Sequence, residues 1–79
     1  MWYVYVLRSA KDNFLYIGST NDLNRRIEEH ENGICASTRL HCPFELAGYF
    51  ALRDRGRAIE FEKYLKTGSG KAFLSKRIL

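Results

Sequence analysis

The sequence contains little of what secreted, membrane-spanning or disordered proteins need. Only two cysteines, Cys35 and Cys42, occur in 79 residues, too few for the disulfide framework of a small secreted domain. No apolar run approaches the roughly 18 residues that cross a bilayer, and Arg8 interrupts the N-terminal WYVYVL too early for a signal peptide. One proline and six glycines exclude a low-complexity chain. We therefore expect a cytoplasmic protein with reduced thiols and no membrane partner.

The remaining composition is that of one small folded domain. Hydrophobic residues make up 46% of the chain and aromatic residues 14%, which is enough apolar surface to offset chain entropy. Separate cores usually need about 100 residues each, so residues 1–79 are expected to form a single domain. Thirteen Lys and Arg residues against nine Asp and Glu residues give a net charge of +4. This excess favours a polyanionic partner without identifying one.

The order of strand and helix signals predicts an α+β domain. Two segments rich in tyrosine and apolar residues, separated by a polar turn, indicate a β-hairpin, and a later apolar stretch indicates a third strand. Helical spacing occurs in three segments, with the glycines at 68–70 predicted to break the last two apart. The fold predicted is a three-stranded antiparallel sheet flanked by helices, in the order ββαβα(α). The predicted strands cover residues 1–7, 14–18 and 44–52, and the predicted helices cover 22–31, 58–66 and 72–78.

The first predicted helix carries two polar residues on its apolar side. At about 100° per residue, Leu23 and Ile27 share a narrow arc. Arg26 and His30 flank that arc, whereas Arg25 points away. An arginine and a histidine on this edge can be directed together into a cleft. The alternative is that Arg26 lies along the sheet edge and His30 is a partly buried imidazole with satisfied hydrogen bonds.

The second predicted helix carries a carboxylate on its apolar side. Glu62 falls within the stripe formed by the apolar residues of this helix, whereas Glu60 falls on the far side. A carboxylate in an apolar stripe costs free energy unless it meets a cation, a metal or hydrogen-bond donors. One explanation is an ion pair with Arg26. The other is a divalent cation on Glu62 opposite a phosphate held by Arg26, and periodicity does not separate the two.

Weaker signals lie in the hairpin and the loops. The hydroxyls of Tyr5 and Tyr16 could line one rim of the hairpin, and Gly18 would permit close approach of a ligand or a helix. The loop residues Cys35, His41 and Cys42 match no usual zinc spacing. The GSGK sequence at 68–71 lacks the full phosphate-loop pattern, so we interpret it as a helix break whose lysine contacts a phosphate.

The segments YVYVL and YIGSTNDLNRRIEEH, followed by a glutamate on a late helix, resemble the GIY-YIG nuclease superfamily. The likeness is to its small stand-alone members and to the N-terminal catalytic domain of the bacterial excision-repair incision subunit. Residues 16–18 keep the second half of the name motif as Tyr, Ile and Gly. Residues 3–5 read Tyr, Val and Tyr where the family has Gly, Ile and Tyr, so Tyr5 keeps the functional tyrosine.

The spacing of the motif residues supports this resemblance over nearly the whole chain. Tyr16 follows Tyr5 by 11 residues and Arg26 follows Gly18 by eight, both similar to the family's pattern. His30, four residues after Arg26, matches a position occupied in some members. An asparagine that larger relatives often carry after the metal ligand has no evident counterpart in this chain.

The resemblance implies a divalent-metal-dependent endonuclease with its site in a cleft on one side of the sheet. Tyr5 and Tyr16 would position or deprotonate the attacking water, and Arg26 would neutralise the charge of the transition state. His30 joins this catalytic set, and Glu62 would bind a single Mg²⁺ or Mn²⁺. We accordingly expect Arg26 and Glu62 to face one shallow basic cleft at the sheet edge, with the two tyrosines at its rim.

The expected partner is nucleic acid, with DNA favoured over RNA, in repair, recombination or processing. The candidate contacts to it are Gly18, Arg39, Lys66 and Lys71. A chain of this size lacks a separate recognition domain, so targeting to long sites would need a protein partner or a homodimer. The alternative function is a non-catalytic nucleic-acid-binding module with the same fold.

Overall fold

The computed structural model describes residues 1–36 and 38–79, which contain one three-stranded sheet and three α-helices. The element order ββαβαα confirms the predicted α+β fold. No helix among these residues is long and apolar enough to cross a bilayer. The strands are β1 (Trp2–Ser9), β2 (Leu15–Thr20) and β3 (Phe44–Leu52), and the helices are α1 (Leu23–Glu31), α2 (Arg55–Leu65) and α3 (Gly68–Arg77).

The sheet has the strand order β2-β1-β3, with both pairings antiparallel. The predicted hairpin of β1 and β2 is present, and Asn13 in its turn takes the left-handed conformation with φ 62°, which asparagine tolerates better than most residues. The third strand pairs with the other side of β1. β2 is therefore an edge strand, and β1 is the central strand.

Helices cover both faces of the sheet. Because successive side chains of a strand alternate between faces, Val4 and Val6 of β1 lie on one face and Tyr5 and Leu7 on the other. The valines pack in a core with residues of α2 and α3. The Tyr5 face packs with Phe44 and with apolar residues of α1. The sheet is thus a middle layer, with α1 on one side and the other two helices on the opposite side.

The first helix has the N-terminal cap and the C-terminal glycine that the sequence predicts, whereas the second helix begins earlier than predicted. Asp22 caps α1 by accepting a hydrogen bond from the Arg25 amide at 3.2 Å, and Gly33 follows the helix with φ 70°, a conformation that favours glycine. The sequence predicts a charged connector over residues 53–56 and a helix that starts at residue 58. Instead, Asp54 accepts from the Arg57 amide at 2.9 Å, so the helix starts at Arg55.

The predicted helix break at 68–70 is wrong, because these residues form the first turn of α3. Thr67 caps this helix, and its Oγ1 accepts from the Gly70 amide at 3.1 Å. A Cβ on Gly70 would lie 2.5 Å from the Cα of Leu65 and closer still to the Tyr64 carbonyl oxygen. The glycine therefore lets α3 fold back against the end of α2, and the GSGK sequence is a helix-packing feature.

Candidate active site

The two predicted functional tyrosines lie side by side on the α1 face of the sheet. Their ring centroids are 6.1 Å apart. Tyr16 is partly exposed on the edge strand, but Tyr5 on the central strand is only 1% exposed. The expectation that Tyr5 lies at the rim of a cleft is therefore wrong, because α1 covers the central strand at this point.

Gly18 makes room for the Tyr5 hydroxyl. It pairs with Tyr5 across the two strands, and a Cβ on it would lie 2.7 Å from the Tyr5 oxygen and 2.9 Å from Cε1 of Tyr16. Gly18 itself is buried. We predicted this glycine as a point of ligand approach, but the group that approaches it closely is the tyrosine hydroxyl.

His30 lies behind the two tyrosines, fully buried with 0% exposure. Its Nε2 is 3.0 Å from the Tyr5 hydroxyl, and its Nδ1 is 2.7 Å from Oγ1 of Thr38. The imidazole ring is also packed against Tyr16, with centroids 4.8 Å apart. His30 is therefore both a buried histidine with satisfied nitrogens and a direct partner of a predicted functional tyrosine.

The surroundings of Tyr5 and His30 keep both groups neutral at pH 7. Burial, and next the neighbouring Tyr16, raise the pKa of Tyr5 above its ordinary value, and Arg26 opposes this only in part. Burial, and next the charge of Arg26, lower the pKa of His30 below 6.5, while Glu29 acts in the opposite direction. A neutral imidazole beside a protonated phenol is the arrangement in which the imidazole can accept the phenolic proton.

The lowered pKa of His30 makes a prediction for stability. The unfolded chain holds the His30 proton more tightly than the folded chain, so protonation favours unfolding. The stability that neutral His30 contributes is complete above pH 6.5, the ordinary pKa of histidine in the unfolded chain. It is lost as the pH falls from there through the lower pKa of His30 in the folded chain. We expect the melting temperature of the wild type to fall between about pH 7 and pH 5, and that of His30→Gln to fall less steeply. If the melting temperatures of the two proteins, measured by thermal melts, fell equally with pH, the lowered pKa would not belong to His30.

Arg26 faces the sheet from α1, as its helical position predicts, whereas Arg25 is exposed. The Arg26 side chain is 35% exposed, and its Nη1 donates to Oε1 of Glu29 at 2.8 Å. The Glu29 carboxylate, and after it the Tyr5 hydroxyl, raise the pKa of Arg26 above its ordinary value. The ion pair of Arg26 with Glu62, one of the two explanations considered for Glu62, does not form, because Arg26 pairs with Glu29 and Glu62 pairs with Lys66.

Glu62 lies on α2 with its side chain 22% exposed, whereas Glu60 is exposed. Oε1 of Glu62 accepts from the Ser19 hydroxyl at 2.7 Å, and Oε2 accepts from Nζ of Lys66 at 2.8 Å. These two contacts satisfy the carboxylate within its apolar stripe, but neither Lys66 nor Ser19 was the partner that the sequence interpretation considered. Sequence reasoning missed Ser19, although its place directly after Gly18 in the motif is a signal that could have pointed to it.

The two halves of the candidate site lie on opposite faces of the edge strand. Ser19, which contacts Glu62, alternates with Gly18 along β2 and therefore points away from the tyrosines. The expectation that Arg26 and Glu62 face one cleft is wrong for this reason. We call the resulting arrangement the β2 edge site: Tyr5, Tyr16, Arg26 and His30 on the α1 face, and Ser19, Glu62 and Lys66 on the α2 face.

A comparison with known protein families identifies the family of this chain. A family profile described as the GIY-YIG catalytic domain matches residues 1–76. The chain belongs to the GIY-YIG family. The profile match confirms the resemblance seen in the sequence. It covers almost the whole of this GIY-YIG domain.

Small proteins of the UPF0213 group are similar to this GIY-YIG domain. A UPF0213 protein of Nitratidesulfovibrio vulgaris is 42% identical over 67 residues, which cover 84% of this chain and 60% of that protein. One of Clostridium perfringens is 40% identical over 67 residues, covering 84% of this chain and 71% of that protein. A UPF0213 protein of Bacillus halodurans, solved by NMR in solution, is 32% identical with a TM-score of 0.58, covering 96% of this chain and 84% of that one. The chain thus spans less than two thirds of the first relative.

A cavity of about 570 Å³ lies along the same edge strand of the GIY-YIG domain. Tyr16, Lys66 and Lys71 line it together with apolar residues of β2 and α3. The structure thus brings two of the predicted nucleic-acid contacts, Lys66 and Lys71, to one place beside Glu62. The third basic residue, Arg39, is exposed on the short turn before β3 and does not line this cavity.

The donors of the site suit a hard divalent cation. Across residues 1–36 and 38–79, no group of three or more His, Cys, Asp or Glu side chains is placed to hold a metal. Each oxygen of Glu62 accepts one hydrogen bond and keeps a second lone pair. Mg²⁺ can be held by one carboxylate with water and phosphate oxygens completing its shell, whereas zinc needs three or four protein ligands. Glu62 therefore fits Mg²⁺ or Mn²⁺.

Proposed function

We propose that this GIY-YIG domain hydrolyses phosphodiester bonds in nucleic acid, DNA in preference to RNA, with one Mg²⁺ or Mn²⁺. The observation that carries the proposal is the pairing of a half-buried carboxylate with a buried Tyr–His pair around one edge strand. Glu62 lies on one face of β2, and Tyr5 and His30 lie on the other. Arg26 adds a fixed positive charge beside Tyr5. Hydrolysis of a phosphodiester needs a proton acceptor and positive charge of these kinds.

The tyrosines and His30 would take the proton of the attacking water. The water oxygen forms a bond to phosphorus as the bond from phosphorus to the leaving oxygen breaks. Because Tyr5 is 1% exposed, the mechanism requires the water to reach its hydroxyl from the side of the partly exposed Tyr16. Tyr5 accepts the water proton as it gives its own proton to Nε2 of His30, 3.0 Å away. The imidazole becomes an imidazolium, and the leaving oxygen takes a proton from solvent. Tyr16, the partly exposed member of the pair, would orient the water.

Positive charge would reach the phosphate from both faces of the strand. Arg26 would neutralise charge on the non-bridging oxygens from the α1 face. A divalent cation held by Glu62 would supply Lewis acidity to the phosphate. Ser19 and Lys66 orient the Glu62 carboxylate through hydrogen bonds of 2.7 and 2.8 Å, a role of supporting contacts that metal sites commonly require.

Purified wild-type protein, incubated with nucleic acids of defined structure, tests this proposal. The panel includes linear duplex, nicked, branched and single-stranded DNA and the matching RNA, each with Mg²⁺, Mn²⁺ or EDTA. We expect cleavage of at least one DNA substrate with either metal and none with EDTA. Binding without cleavage under every condition would instead support the non-catalytic module.

Lys71 supplies a prediction about binding alone. It lines the cavity on the edge strand and is exposed, so it is placed to contact a phosphate. Lys66, in contrast, also forms an ion pair with Glu62. Lys71→Ala should weaken binding similarly for all sequences and reduce the slope of log affinity against log salt by about 1. Fluorescence anisotropy in EDTA measures both quantities. Lys76→Ala, on the same helix and outside the cavity, is the matched control, and an equal effect there would contradict the assignment.

A further inference from the structure

We propose that Thr38 is a positioning residue that holds His30 in the tautomer protonated on Nδ1, so that the lone pair of Nε2 faces the Tyr5 hydroxyl. This inference rests on the proposed function, in which His30 receives the proton of Tyr5. Thr38 is fully buried, with 0% exposure, and its Oγ1 lies 2.7 Å from Nδ1. It does not belong to the family motif and lies in a segment without regular periodicity.

The direction of the hydrogen bonds that join Tyr5, His30 and Thr38 follows from the contact at the Thr38 end. At one end, the Thr38 hydroxyl donates to the carbonyl oxygen of Cys35 at 3.4 Å, and a carbonyl oxygen can only accept. Since a hydroxyl has one hydrogen, Oγ1 must accept from Nδ1 of His30. A neutral imidazole carries one proton, so Nε2 is then an acceptor.

The other end of the chain is the Tyr5 hydroxyl, 3.0 Å from Nε2. Because Nε2 is an acceptor in this tautomer, the Tyr5 hydroxyl donates its own hydrogen to it. The hydrogen bonds run in one direction, from Tyr5 through His30 and Thr38 to the Cys35 carbonyl.

Contacts with the β1–β2 turn hold the segment that carries Thr38. The Ser9 hydroxyl donates to the His41 carbonyl oxygen at 2.5 Å, and Nδ1 of His41 is 2.7 Å from Oδ2 of Asp12. Nζ of Lys11 donates to the Leu40 carbonyl at 3.3 Å. The turn and the loop thus fix the backbone around Thr38. Thr38 acts on the reaction only through His30, because it is buried behind the imidazole ring.

Substitution of Thr38 by valine and by serine separates the hydroxyl from the packing. Thr38→Val keeps the shape and removes the acceptor, so Nδ1–H loses its partner and the population of the Nε2–H tautomer rises. We expect kcat to fall by roughly 10- to 100-fold, by analogy with other supporting contacts, with KM little changed. Thr38→Ser should restore both. Thr20→Val is the matched control, since Thr20 is also buried but bonds to Asp22.

The tautomer itself is read by ¹⁵N NMR of the ring nitrogens, which needs no cleavage activity. The chain has only two histidines, so a His41→Gln variant assigns the signals. Wild-type His30 protonated on Nδ1, with a shift toward Nε2 in Thr38→Val and not in Thr38→Ser, supports the inference. Wild-type His30 protonated on Nε2 overturns it, whether or not Thr38→Val folds. If the tautomer responds as expected but the wild type cleaves nothing, the proposed function fails and the role of Thr38 in setting the tautomer stands.

Discussion

Replacement of Glu62 by glutamine is expected to abolish cleavage and to leave nucleic-acid binding intact or improved. Glutamine keeps the volume of the side chain and can still accept from Ser19, but it removes the negative charge that would hold a divalent cation. Loss of that charge also frees Lys66 from its ion pair, which adds a mobile cation beside the cavity. Cleavage by single-turnover kinetics and binding by anisotropy measure the two effects separately.

Glu60→Gln is the matched control for this substitution, because Glu60 lies two positions away on the same helix and is exposed. It should leave cleavage unchanged. Stability is the confounding variable, but the lost pair with Lys66 is an exposed i, i+4 pair worth only about 0.3–0.5 kcal/mol. Both variants should therefore melt close to the wild type. Cleavage that persists in folded Glu62→Gln protein would show that another group holds the metal, and Glu60 would be the next candidate.

The positions of residues on helices were predictable from the sequence, because the 3.6-residue period decides which side chains face the sheet. Arg26 and Glu62 are half-buried and Arg25 and Glu60 are exposed, as the period predicts. The period does not say against which face of the sheet a helix packs. That depends on the path of the chain after β3, and this is why the single shared cleft was a wrong expectation. Side chains alternate along β2, so Ser19 points to the face opposite the tyrosines. Its contact with Glu62 therefore shows on which face α2 packs.

The buried hydrogen bonds of His30 were beyond prediction for a different reason. Thr38 lies in a loop without a repeating pattern, and Tyr5 is 25 residues away in the chain, so no local rule links either to His30. What the sequence does indicate is a requirement: a histidine on an apolar helix face needs a partner for each ring nitrogen. A search for polar residues among the loops that close over α1 would have included Thr38.

Arg26→Ala is expected to lower the cleavage rate by the order of 10² to 10³, the usual effect of losing one preorganised charge-stabilising group. The Arg26 side chain is 35% exposed beside the buried Tyr5 and His30, so its guanidinium can reach a phosphate from the α1 face while Glu29 fixes its position. Arg25→Ala removes the same charge from the exposed side of the helix and should have little effect. Equal losses in the two variants would show that only net charge matters.

Two mechanisms can produce the loss in Arg26→Ala, and the pH dependence of the rate separates them. The charge of Arg26 helps to lower the pKa of His30, so its removal raises that pKa and increases the protonated fraction of the imidazole at a given pH. If this were the main cause, the rate would recover as the pH is raised above the ordinary histidine value of about 6.5. If Arg26 stabilises charge on the phosphate, the deficit persists at alkaline pH, where His30 is neutral in both proteins. We expect the persistent deficit, because the electrostatic role acts on the transition state whatever the protonation state of the histidine.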